Sequence, residues 1–253
     1  MKYNKVVSLV LAVMAVGQAQ SETLKVDNNI SIGYRFEVGD DSDKSNLFDR
    51  SLIQIQHRSF YDWGEVMAKY RIENLGHTED TTPNGAEAWT NNKFFGQLYY
   101  NLGSKNTQLW FDVFTNSNDY IWETDVVLGV AQKIKLGKLN AKVAAGIEYA
   151  QGHNSVTGKR EEAMNGVATR ISLGYPISPS IVLFSLYDAR WGRELDIQSL
   201  YGRDSEDGFL AVAGLQYRFA DNLDATISYQ HEHDWGGYNE NGNNVDITFG
   251  YHF

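Results

Sequence analysis

The sequence predicts an all-β fold: a transmembrane antiparallel β-barrel of twelve strands. Three observations carry it. Apolar and polar residues alternate along most of the chain, the period of a strand with one apolar and one polar face. The connectors between these segments alternate between short and long. The last ten residues are themselves such a strand, with Val245, Ile247, Phe249, Tyr251 and Phe253 on one face and Asn244, Asp246, Thr248, Gly250 and His252 on the other.

The ends of the chain set the compartment. Met1-Lys2-Tyr3-Asn4-Lys5 is basic, Val6 to Val16 is almost wholly apolar, and Gly17-Gln18-Ala19 is a small-x-small run. This reads as a signal peptide over 1–19, removed on export, followed by one barrel domain over 20–253. The aromatic-ended C-terminal strand resembles the segment that marks bacterial outer-membrane barrels for insertion. The expected partners are therefore outer-membrane lipid and, through the strand ending at Phe253, the barrel-assembly machinery of a Gram-negative cell.

Composition removes several classes. With 22 Lys+Arg against 32 Asp+Glu the formal charge is −10, the wrong sign for a protein that binds a nucleic-acid duplex. There is no Cys, which excludes a disulfide scaffold, a thiol nucleophile and a Cys-ligated metal. No internal run is long and apolar enough for a membrane helix. The mean hydropathy of −0.41 looks soluble. A barrel with a polar lumen has that average too.

The strands follow in order. The first places Ile30, Ile32, Tyr34, Phe36 and Val38 opposite Arg35 and Glu37. The second covers about 49–60, with Ile53 and Ile55 outward and Gln54, Gln56 and Arg58 inward. In the third, Val66, Ala68, Tyr70 and Ile72 oppose Glu65, Lys69, Arg71 and Glu73. Nine more fit near 92–102, 107–116, 120–134, 138–150, 164–175, 180–191, 208–219, 222–234 and 244–253. Each is long enough to cross the hydrocarbon at a tilt. Tight connectors fall near 61–63, 103–106, 135–137, 176–179 and 220–221. Pro176 and Pro179 sit in one of them, where they break no ladder. Longer ones fall at 39–48, 75–91, 151–163, 192–207 and 235–243, with 117–119 the exception. Short periplasmic turns and long extracellular loops predict this alternation, with both termini in the periplasm. Closure is required because lipid leaves no partner for an unpaired backbone group. Tyr and Trp near strand ends, such as Tyr100, Tyr175, Trp191, Tyr217 and Tyr251, suit interfacial girdles.

If the apolar set faces lipid, the other parity lines the lumen. It carries nine basic side chains, Arg58, Lys69 and Arg71 among them, and eleven acidic ones, Glu65 and Asp112 among them. The signs nearly balance, so most are expected to pair and stiffen the wall. The fourth and fifth strands add rings. Phe95 and Tyr99 share a face with Lys93 and Gln97, and Trp110 and Phe114 share one with Gln108 and Asp112. Four such rings would offer flat faces to a planar or sugar-ring solute. A bulge would reverse this phase and turn them outward.

Enzyme signatures are absent. There is no G-x-S-x-G, no H-E-x-x-H and no P-loop. His231 and His233 share a strand face and lack helical zinc spacing. Asp40-Asp41-Ser42-Asp43 reads as a solvated loop tip. No cofactor, metal or catalytic residue is expected. The non-channel alternatives are a plugged structural or adhesive barrel, disfavoured by the interior room of twelve strands, and a barrel hydrolase, which would need a Ser/His pair.

His57-Arg58-Ser59-Phe60-Tyr61-Asp62-Trp63-Gly64-Glu65 is similar to a signature of the Tsx/OmpK family of nucleoside-specific channels. Asn74, Phe94-Phe95-Gly96-Gln97, Asp188-Ala189-Arg190-Trp191-Gly192 and the stretch from Tyr229 to Phe253 extend the likeness over most of the mature chain. The resemblance implies a narrow twelve-stranded channel in which rings stack on bases and polar groups meet ribose; the barrel is expected to be a monomer. It also implies loops that act as phage receptors. Gln56 and Gln97 depart from the family's Glu. A second resemblance is to KdgM-like porins for acidic oligosaccharides, carried by Ile30 to Arg58 with Asp49-Arg50 and His57-Arg58. Such channels need an excess of lumen Arg and Lys. The near-balanced count favours the nucleoside reading.

Overall fold

The computed structural model describes residues 23–39, 48–76, 89–236 and 241–253. The expected signal peptide and the Asp40–Asp43 run lie outside them. Twelve strands form: β1 (Thr23–Glu37), β2 (Arg50–Tyr61), β3 (Gly64–Glu73), β4 (Asn91–Leu102), β5 (Ser104–Ser117) and β6 (Ile121–Leu136). They continue as β7 (Leu139–Asn154), β8 (Arg160–Ser178), β9 (Ile181–Trp191), β10 (Gly208–Ala220), β11 (Leu223–His233) and β12 (Gly242–His252). Each pairs antiparallel with its sequence neighbours, and β1 pairs β12, so the sheet closes. At this seam Ile30, Ile32, Tyr34 and Phe36 lie opposite Tyr251, Phe249, Ile247 and Val245. Gly33 is needed there, because a Cβ would come within 2.2 Å of the Ile247 carbonyl oxygen.

The alternation sorts as predicted. Ile32, Ile55, Leu128, Val130, Ile147, Ile227 and Phe249 are each about half exposed on the outside. A belt of large apolar side chains this continuous needs lipid against it. Tyr100, Tyr175, Tyr217 and Tyr251 stand exposed toward one end, and Tyr70, Trp191 and Tyr229 toward the other. At one end the connectors have one or two residues: 62–63, 103, 137–138, 179–180 and 221–222. At the other they are 38–49, 74–90, 118–120, 155–159, 192–207 and 234–241.

Several connectors differ from the sequence reading. The turn expected over 103–106 is residue 103, and that expected over 176–179 is 179–180, with Pro176 inside β8 opposite Val182 beside a register shift. The loop expected over 151–163 shrinks to 155–159, because β7 and β8 pair out to His153–Arg160. The Asn154 side-chain oxygen closes the turn by accepting from the N–H groups of Val156 and Thr157, each at 3.0 Å. The connector 192–207 contains a one-turn helix, α1 (Leu195–Leu200), that periodicity missed. Six residues are too few for a helical period to show.

Candidate functional site

The candidate site is the lumen. One cavity of about 590 Å³ is lined by side chains from all twelve strands, including Arg58, Glu65, Lys69, Arg71, Phe95, Gln97, Tyr99, Asp112 and Phe114. Strand parity puts them there: each lies on the polar face of its strand, two or four residues from the next.

The wall is built from buried charge clusters. On the β12–β3 side Glu73 is fully buried and receives Arg50 and Lys93 at 3.1 Å each, Arg71 at 3.6 Å and Arg35 at 3.9 Å. Arg35 also donates to Asp246 at 2.7 and 3.0 Å. On the β5–β9 side Arg170 bridges Asp112 at 2.7 Å and Asp188, and Arg190 bridges Asp188 at 2.5 Å and Glu148. The bulge at Gly166, whose φ of +79 is free only to glycine, turns Asn165 into this cluster. There Asn165 donates to Glu148 at 2.6 Å and accepts from the Glu194 N–H at 3.0 Å. A third cluster crosses the lumen. Glu65 on β3 accepts from Arg58 at 2.5 Å and from Lys142 on β7 at 3.0 Å, four strands away.

These pairings change the meaning of the charge count. The acids are buried: Glu65, Glu73, Asp112, Glu123, Glu148, Asp188, Asp224, Glu232 and Asp246 all lie at 5% exposure or less. Arg58, by contrast, keeps 43% of its side chain exposed, and Arg218 is exposed without an ion pair among the described residues. Lys69, Arg71 and Lys142 also reach the cavity. Of the acids, Asp27 and Asp125 are the less buried lining members. The nearly balanced total therefore presents a mainly cationic face to a solute. Burial decides this, and parity does not report it. Parity also missed Arg50, Arg193 and Arg203, which come from a strand start and a loop.

The four rings separate. Phe95 and Phe114 face the cavity with centroids 5.1 Å apart. Tyr99 is 3% exposed, with the Lys142 ammonium 3.4 Å from its centroid. Trp110 is fully buried and differs from the expected open ring. It packs with Tyr99, Val127, Ala131 and Ala168 under the Arg170 guanidinium. Small inward residues make this shelf: Gly129 opposite Trp110, and Ala144 packed against the cluster.

Two connectors fold inward at the long-loop end. The 192–207 segment packs Ile197, Leu200 and Tyr201 on Ile121 and Ala150. Arg203 anchors it with a bidentate pair to Glu123 at 2.9 and 3.0 Å. Arg193 donates to the carbonyls of Asp234 at 2.8 Å, Asp207 at 2.9 Å and Ser205 at 3.1 Å. Burial and the nearby Arg203 cation lower the Arg193 guanidinium to about 10. From the 234–241 connector Trp235 stacks under Arg190 at 4.8 Å. A Cβ on Gly236 would lie 3.8 Å from Phe114, on the far wall. The lumen is thus narrowed beside the Phe95–Phe114 pair. His231 and His233 face outward and pack on Phe209 at 5.3 and 5.7 Å.

Comparison with known proteins gives the following. Residues 109–253 match the outer membrane protein beta-barrel domain. No curated protein matches. Among solved structures, an outer-membrane channel from Pseudomonas putida F1 is similar at a TM-score of 0.56 and 12% identity, covering 94% of this chain and 98% of that one. The NanC porin is similar at 0.52 and 11%, covering 89% and 98%. The KdgM porin is similar at 0.50 and 9%, covering 89% and 99%. At these identities the likeness speaks to the fold.

Proposed function

This chain belongs to the outer membrane protein beta-barrel domain family, and we propose that within the outer membrane it is a monomeric passive diffusion channel selective for small solutes. The observation that carries this is a cavity lined from every strand and, among the described residues, narrowed but not filled by Trp235, Gly236 and the 192–207 segment. Weak contacts spread along such a lumen speed a solute through without trapping it. The long-loop end faces outward, the short turns face the periplasm, and the outer loops are the surface a phage would meet.

Two solute readings have support. The nucleoside reading rests on Phe95 and Phe114 as a stacking pair beside the Gln54 and Gln97 amides. The acidic-oligosaccharide reading rests on the accessible cations Arg58, Lys69, Arg71 and Arg218 over buried acids. The second observation favours an anion-preferring pore. Single-channel conductance in planar bilayers tests the channel. A salt gradient should give a reversal potential of anion-selective sign. No conductance in a folded barrel would sink the proposal. Block by adenosine or by oligogalacturonate then chooses between the solutes.

A further inference from the structure

The polar parity of the lumen is broken on β9 and β10. These strands direct Phe184, Leu186, Leu210 and Val212 into the cavity, where most other strands direct mainly charged and polar groups. Apolar side chains left against a wet lumen gain nothing from burial until an apolar body covers them. The patch is also smooth. The Phe184 ring lies on Gly214, where a Cβ would come within 2.4 Å of its edge. In the closed order β10 is six strands from β4, so the two walls face each other. Following the tilted register around the barrel puts Leu210 and Val212 at the height of Phe95. The Phe95–Phe114 pair therefore confronts Leu210 and Val212 across the cavity. Lys69, the cross-strand partner of Phe95, holds its ammonium over that ring, 4.1 Å from the centroid, and also lines the cavity. Among the described residues no carboxylate lies within ion-pair distance of Lys69, while Arg71 beside it is held by Gln54, Glu73 and Asp246.

We propose that this slot binds a small planar aromatic carboxylate, with its ring between the two apolar walls and its carboxylate on Lys69. The inference rests on the channel reading and names its solute class. A nucleoside lacks the anion that Lys69 needs. An acidic saccharide presents hydroxyls to the Leu210–Val212 wall and strips their water without replacing it.

Calorimetric titration of the full, detergent-folded barrel with phenylacetate, acetate and benzyl alcohol tests it. Phenylacetate should bind at least about tenfold tighter than either of the others, since ring burial and the charge each contribute about a factor of ten. Equal affinity of all three overturns the slot. The Leu210→Ser/Val212→Ser double variant should lower the preference for phenylacetate over acetate. Lys69→Met should lower its preference over benzyl alcohol. Retention of both preferences in the variants also overturns it. Conductance is recorded on the same preparation. A barrel that conducts but does not discriminate keeps the channel and loses the slot, and one that discriminates without conducting keeps the slot and loses the channel.

Discussion

Replacing Glu73 by Gln removes one charge and almost no volume. Four cations surround that carboxylate at 3.1, 3.1, 3.6 and 3.9 Å, and it is fully buried. At an effective dielectric near 20, each attraction is of order 4–5 kcal/mol before desolvation. Much of that is cancelled by the water the groups gave up and by repulsion among Arg35, Arg50, Arg71 and Lys93. What remains decisive is asymmetry: the cations stay in the wall after the anion is gone. Arg35 and Arg71 still have Asp246. Breaking a buried network from one side costs about 3–5 kcal/mol. The expected result is an unfolding free energy in lipid vesicles lowered by that amount, read from a urea midpoint that falls by ΔΔG/m with the m-value unchanged. Glu73→Gln combined with Lys93→Met should recover at least about 1 kcal/mol, because the second change removes an orphaned charge. A Glu73→Gln barrel within about 0.5 kcal/mol of the parent would refute the view that this cluster holds the wall. So would a double variant that is merely additive.

Other perturbations probe other parts of the barrel. Leu128, half exposed at mid-height on the outside, should lose about 2–4 kcal/mol of stability as Leu128→Arg, whereas the lumen change Thr226→Arg should cost far less; equal costs in vesicle unfolding would contradict the lipid-facing assignment. Arg203→Ala should release the 192–207 segment from Glu123 and raise single-channel conductance, and an unchanged conductance would mean that this segment does not narrow the pore. Lys142→Met removes the cation that reaches Glu65 across the lumen and leaves that carboxylate with Arg58 alone. Anion preference should fall, read as a smaller reversal potential in a salt gradient.

The strand count, the closed sheet and the division into apolar and polar faces were legible in the sequence. A strand's period is two, and a membrane forces every backbone group to pair, so alternation alone leaves few other folds. The placement of Phe95, Phe114, Lys69, Arg71 and Glu65 on the lumen side followed from the same parity. Parity could not say which of those groups a solute would meet. Trp110 and Phe114 are four residues apart on one face, yet Trp110 sinks onto a shelf of small residues from β6 to β8 and Phe114 stays open. Eleven acids and nine bases with equal claims on the lumen became a cationic surface because most acids lie beneath their partners. The wall of Leu210 and Val212 became half of a slot because barrel tilt brings it level with Phe95, twelve strands being a circle and a sequence a line. Local periodicity determines where each side chain points; only closure of the sheet determines what stands opposite.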